Sequence, residues 1–177
     1  MERRTLEIKL EHAEGLSSVK FIGKMAVYAV VSVSDEHNDV LSLKNKSPVD
    51  HEGDTAPTWN FPMKFKVDEA ALKMDCLTLR FKLVCRWCLG DTDVGDVEVS
   101  LKDLFDHPVK AGTDGWRMQR QPVRKPNGIP QGRLSFLYKF THSTNSSRRS
   151  PPRVVTIFVA AGARIICHAL VKAVLKG

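Results

Sequence analysis

Apolar and polar residues alternate with period two over most of the first 142 positions. In 61–67, Phe61, Met63, Phe65 and Val67 share one face and Lys64 and Lys66 the other. In 76–84, Leu77, Leu79, Phe81 and Leu83 alternate with Arg80 and Lys82. Segment 132–141 sets Leu134, Phe136, Tyr138 and Phe140 against Arg133, Ser135 and Lys139. Segments 5–10, 94–101 and 116–121 are shorter versions, 26–33 is a β-branched run around Tyr28, and 40–44 is a weaker candidate. Alternation at period two sends successive side chains to opposite faces, so each segment predicts a strand with one buried and one wet face. About eight such strands, broken by Gly-, Pro-, Asp- and Asn-rich turns at 50–57, 89–93 and 122–130, predict an all-β sandwich. Segments 68–73 and 102–105 read as short helices.

The pattern ends at His142. Residues 143–153 are rich in Ser, Arg and Pro and read as a linker. Residues 154–176 are apolar with interspersed cations and predict a C-terminal helix. The expected organisation is therefore a folded unit over 1–142, a linker and a helical tail. A length of 177 residues suits one domain, and 42% apolar with 27% charged residues is an ordinary globular balance. The net charge of +7 belongs to the tail: all 20 acids lie in 1–142, whereas 143–177 carry six bases and no acid. A basic tail on a nearly neutral fold argues against nucleic-acid binding, which wants a basic face on the fold itself.

Catalytic signatures are missing. The chain contains no GxSxG, HExxH, phosphate-binding loop or dinucleotide fingerprint, and its six histidines are scattered. No apolar signal-like stretch opens the sequence, so a reducing compartment and free thiols are expected. Cys85 and Cys88 have CxxC spacing but no second pair for zinc and no βαβ context for redox work, and read as structural. A non-enzymatic binding module is the expectation.

Four ordered motifs carry a resemblance. They are Gly23-Lys-Met-Ala-Val-Tyr-Ala-Val-Val-Ser-Val33, Pro57-Thr-Trp-Asn-Phe-Pro-Met-Lys-Phe65, Asp93-Val-Gly-Asp-Val-Glu-Val99 and Pro130-Gln-Gly-Arg-Leu-Ser-Phe-Leu-Tyr-Lys-Phe140. Over residues 4–141 the chain resembles a C2 domain, and more narrowly the small plant C2 proteins of the soybean cold-induced type. The resemblance implies an eight-stranded antiparallel sandwich that binds phospholipid membranes or protein partners in stress or defence signalling. It also implies a linker and an apolar C-terminal segment.

Calcium-binding members of the family place carboxylates on two loops at one end of the sandwich, because calcium takes six to eight oxygens. The resemblance puts Lys20 and Ala26 where the first loop has its aspartates, and Val84-Cys-Arg86 where a strand ends in an Asp-x-Asp pair. Only Asp91 and Asp93 remain. The expectation is calcium independence, with no cofactor and a degenerate metal site.

Fixed positive charge would then attract anionic lipid. Lys20, Phe21, Ile22 and Lys24 share one predicted loop, where apolar side chains insert while the lysines meet phosphates. Lys64, Lys66, Arg80 and Lys82, joined by Lys44 and Lys46, are a second candidate basic patch. In the tail, Arg164, His168, Lys172 and Lys176 recur every four residues opposite an apolar arc that includes Phe158. Such a helix would lie in the interface. As a span, 22 residues reach ~33 Å, enough for a bilayer, but with Arg164 near the midplane. The expected role is thus an intracellular protein peripheral to, or tail-anchored in, an anionic membrane. The alternative is a protein-interaction adaptor for which lipid is incidental.

Overall fold

A computed structural model describes residues 3–35, 40–42, 44–106, 110–112 and 114–142. It contains eight strands: β1 Arg3–Glu14, β2 Ala26–Ser34, β3 Asn45–Lys46, β4 Thr58–Asp68, β5 Thr78–Arg86, β6 Thr92–Ser100, β7 Arg117–Arg124 and β8 Pro130–His142. Two short helices, α1 Glu69–Lys73 and α2 Leu101–Asp106, follow β4 and β6. Every strand pair is antiparallel, in the order β3-β2-β5-β6-β7-β8-β1-β4. β6 and β7 pair only at Asp96 and Arg124, so the order folds at that seam into two layers, β3-β2-β5-β6 and β7-β8-β1-β4. The all-β expectation holds.

The alternation explains the packing. Leu6, Ile8 and Leu10 of β1, Val31 and Val33 of β2, Phe65 of β4, Phe81 and Leu83 of β5 and Phe136 of β8 are fully buried in one core. Phe81 and Phe136 bring the two layers together, with ring centroids 4.8 Å apart. Burying aliphatic and aromatic side chains of this size contributes roughly 1.5–3 kcal/mol each, and no other term here is as large. A bulge between Leu10 and His12 shifts the period of β1 by one, so that Ala13 rejoins the core.

The strand expected at 40–44 is displaced. Val40 makes a single bridge to Ser34, and β3 forms at Asn45–Lys46 against Val30 and Val31. Two serines replace the missing ladder. The Val33 amide donates to Ser42 Oγ and the Ala29 amide to Ser47 Oγ, each at 2.9 Å. Side-chain oxygens that satisfy strand amides remove the need for a paired strand. The linker and tail, 143–177, lie outside the described residues.

Candidate functional site at one end of the sandwich

The connections at one end include β1–β2 (15–25), β3–β4 (47–57) and β5–β6 (87–91). Their roots are tied down. Gln131, almost fully buried on β8, accepts from the Ser17 amide and donates to the Val94 carbonyl, both at 2.8 Å. The Leu16 amide donates to Thr55 O at 3.0 Å, and Val27 and Asp50 exchange backbone hydrogen bonds at 2.8 Å. The tips are bare. Phe21 is 98% exposed, Ile22 89% and Leu89 88%, with Trp87 also exposed. Large apolar side chains held so fully in water at adjacent loop tips mark an interaction surface.

Cations frame these tips. Lys20 Nζ donates to Lys24 O at 2.9 Å, closing the β1–β2 loop on itself, and lies 5.9 Å from the Trp87 ring centroid. Lys24 meets Glu52 at 3.1 Å, but both side chains are well exposed, so solvent and salt screen the pair. The structure therefore brings Lys20, Phe21, Ile22 and Lys24 together as expected and adds Trp87 and Leu89. Period-two reasoning reads 89–93 as a turn and so passes over this loop. Its signal was an apolar Trp and Leu inside a segment otherwise rich in Gly and Asp.

Four aspartates at this end hold structural partners. Tyr28 Oη donates to Asp91 Oδ2 at 2.5 Å. Burial, then the Asp91 carboxylate, push the Tyr28 phenol up to about 12. Asp93 pairs with Lys82 at 2.9 Å. Asp54 accepts from the Met25 amide at 2.9 Å. Asp50 accepts from the Glu52, Gly53 and Thr58 amides. Burial alone would push the Asp50 carboxyl up, yet those amides, Thr58 foremost, hold it below its ordinary range. Among the described residues no three His, Cys, Asp or Glu side chains group as a metal site.

The sheet cations do not form the single patch expected of them. Lys64 and Lys66 stand on β4 and Arg80 and Lys82 on β5, strands of different layers, whose wet faces look to opposite sides of the sandwich. Lys64 approaches Glu7 at 3.4 Å. Arg80 lies 3.3 Å from Glu98 and 3.8 Å from Asp96. Arg80, Lys82 and Lys44 do share a groove of about 380 Å³ with Asp93 and Asp96. Lys46 lies 3.7 Å from the Tyr28 ring centroid, close by. Cys85 is buried and Cys88 exposed, and both are free thiols. Phe158, Arg164, His168, Lys172 and Lys176 lie outside the described residues. Among those described, no helix is long and apolar enough to cross a membrane.

The C2 domain family matches residues 4–117. The chain belongs to the C2 domain family. Over 155 residues this C2 protein is 36% identical to Protein SRC2 of Glycine max, an alignment covering 86% of the chain and 51% of that protein. It is 37% identical over 156 residues to the Protein SRC2 homolog of Arabidopsis thaliana, covering 85% of the chain and 46% of the homolog. The chain thus spans about half the length of these relatives, which are of the soybean type that its motifs resemble. Among solved structures, a C2 domain of plant Extended Synaptotagmin 1 superposes with a TM-score of 0.60 at 19% identity, covering 80% of this chain and 96% of that one. The calcium-bound pair of C2 domains from Extended-Synaptotagmin 2 gives a TM-score of 0.60 at 16% identity, covering 80% of this chain and 47% of that one. At such identities these structures show the fold alone.

Proposed function

We propose that this C2 protein is a non-enzymatic module that docks on anionic phospholipid without calcium, at the inner face of a cell membrane, in stress or defence signalling. The observation that carries the reading is the trio Phe21, Ile22 and Leu89, each at least 88% exposed on adjacent loops with firmly bonded roots. Inserting the three would contribute roughly 1.5–3 kcal/mol apiece at full burial. Lys20 and Lys24 would add about 1 kcal/mol each at an anionic leaflet. Association costs of at least ~4 kcal/mol offset much of this, so binding is reversible.

Calcium independence is supported by the chemistry of the loop residues. The position that resembles the family's first aspartate is Lys20, whose side chain offers a divalent ion a positive charge and no oxygen. Asp91 and Asp93, the residual pair, are committed to Tyr28 and Lys82. The fixed cation then does the electrostatic work of a bound ion.

Sedimentation of the full chain with phosphatidylserine-containing vesicles, in calcium or in chelator, tests this. Equal pelleting in both, lost on Phe21→Ser with Leu89→Ser, is expected. Pelleting that requires calcium would overturn the calcium-independent part. Absence of pelleting in both buffers would assign the loops to a protein partner instead.

A further inference from the structure

The two wet faces of the sandwich differ in charge. On the β3-β2-β5-β6 layer, Arg80 faces Asp96 and Glu98, and Lys82 faces Asp93, so these two mid-strand cations are paired with acids. The β7-β8-β1-β4 layer is different. One row runs Lys139, Glu7, Lys64 across β8, β1 and β4, with a single carboxylate shared between two lysines at 3.7 and 3.4 Å. The next row holds Lys9 between Leu137 and Pro62, and the row on the other side sets Lys66 opposite Thr5. Arg120 lies opposite Ser135 on β7. Among the described residues none of Lys9, Lys66 or Arg120 has a carboxylate within ion-pair distance. Glu11 and Glu14 sit at the loop end of β1, where Glu14 faces Arg133.

Like charges on neighbouring strands repel, by a fraction of a kcal/mol per pair. A face that sets these five cations around Glu7, while Asp68 lies opposite Arg3 at its margin and caps α1, gives up stability that the opposite layer retains. An anionic surface would recover it. The face is a sheet several strands wide, so its natural complement is extended and negatively charged. Strand spacing of ~4.8 Å and a rise of ~3.3 Å per residue spread these cations over a patch on the scale of several lipid headgroups.

We propose that the β7-β8-β1-β4 face is a second membrane contact, lying against an anionic leaflet while the loops insert, so that the domain rests on this side and turns the Lys44–Lys82 groove away from the bilayer. This rests on the membrane reading above and assigns its orientation. Glu7 is the residue that tempers the contact, and Lys9 and Lys66 are its free cations.

The test is partitioning of the full chain onto mixed phosphatidylcholine–phosphatidylserine vesicles. Lys9→Glu with Lys66→Glu lowers partitioning by about tenfold or more, the scale of two basic contacts at an anionic leaflet. Lys44→Glu with Lys82→Glu lowers it by less than about twofold, as for exposed charges away from the contact. Glu7→Gln raises it, a gain that misfolding would not produce. Greater loss from the Lys44 and Lys82 changes, or no change from either Lys9/Lys66 or Glu7, overturns the assignment. Capture of soluble polyglutamate by this face with vesicle binding unchanged would assign it to an acidic protein and also overturn it. Should Phe21→Ser with Leu89→Ser leave partitioning intact, the membrane reading of the loops falls. That outcome is distinct from failure of the sheet face.

Discussion

Tyr28 and Asp91 are bonded at 2.5 Å across the gap between β2 and the loop that follows β5. The tyrosine is almost fully buried, and the loop it holds is the one that presents Leu89 and Trp87. A hydrogen bond to a charged acceptor is worth roughly 1.5–3 kcal/mol when the donor is buried. The contact ties this loop to β2.

Tyr28→Phe is therefore expected to loosen residues 87–91 more than the core. Amide exchange that speeds up most in that loop, beyond the change set by a global loss of roughly 1.5–3 kcal/mol, is the predicted result. The pH dependence follows from the raised phenol. Its folded value, about 12, exceeds the ordinary 10, so the stability it contributes is complete below pH 10. That stability is lost as pH rises towards 12. Alkaline denaturation of the parent should show this loss and Tyr28→Phe should not.

Phe21→Ser and Leu89→Ser should separate binding from folding. Both side chains are nearly free of protein contact, so thermal stability should move by no more than about 0.5 kcal/mol. Vesicle binding should fall sharply. Trp87 reports the same event: its emission shifts blue on adding anionic vesicles, and Trp87→Phe removes the shift if the buried Trp59 and the partly buried Trp116 do not move.

Most of the sandwich was legible because one side of each strand is apolar and the other charged. Leu77, Leu79, Phe81 and Leu83 are all buried, as period two requires. β3 was not, because the serines of its neighbourhood replace ladder partners with hydroxyls, and side-chain capping leaves no alternation to read. The grouping of the loop lysines with Phe21 follows from their order in the chain. Their assembly with Leu89 does not, since it depends on which loops share an end of the sandwich. The error with Lys64, Lys66, Arg80 and Lys82 has the same origin. Alternation tells which residues are wet, and only strand order tells which layer they wet.

Glu69 offers an acid-side test. It lies at the first turn of α1, capped by Asp68, and meets Arg4 and Lys73 at 2.8 Å each. Hydrogen bonds from Arg4 first and Lys73 second hold its carboxyl down to about 2, below the ordinary 4.5. A depressed carboxyl contributes stability above its unfolded value and loses it as pH falls through the folded one. Between pH 4.5 and 2 the parent should lose stability through this group. Glu69→Gln should already be less stable at neutral pH and lose correspondingly less on acidification, as read by the thermal midpoint across that range.

The last prediction concerns the seam that joins the layers. β6 touches β7 through one pair, Asp96 with Arg124, and Gly95 sits beside it. A Cβ at Gly95 would stand 2.5 Å from Arg124 O and 2.8 Å from a Val123 methyl. The first of these is backbone, which cannot rotate aside, so the seam itself must open. Gly95→Ala is thus expected to destabilise by about 1–3 kcal/mol, the range of overpacked cores, although alanine normally favours the folded state by limiting the unfolded chain. Chemical denaturation gives the sign directly. A lowered midpoint with an unchanged slope supports the close approach at β6–β7, and an alanine variant as stable as the parent excludes it.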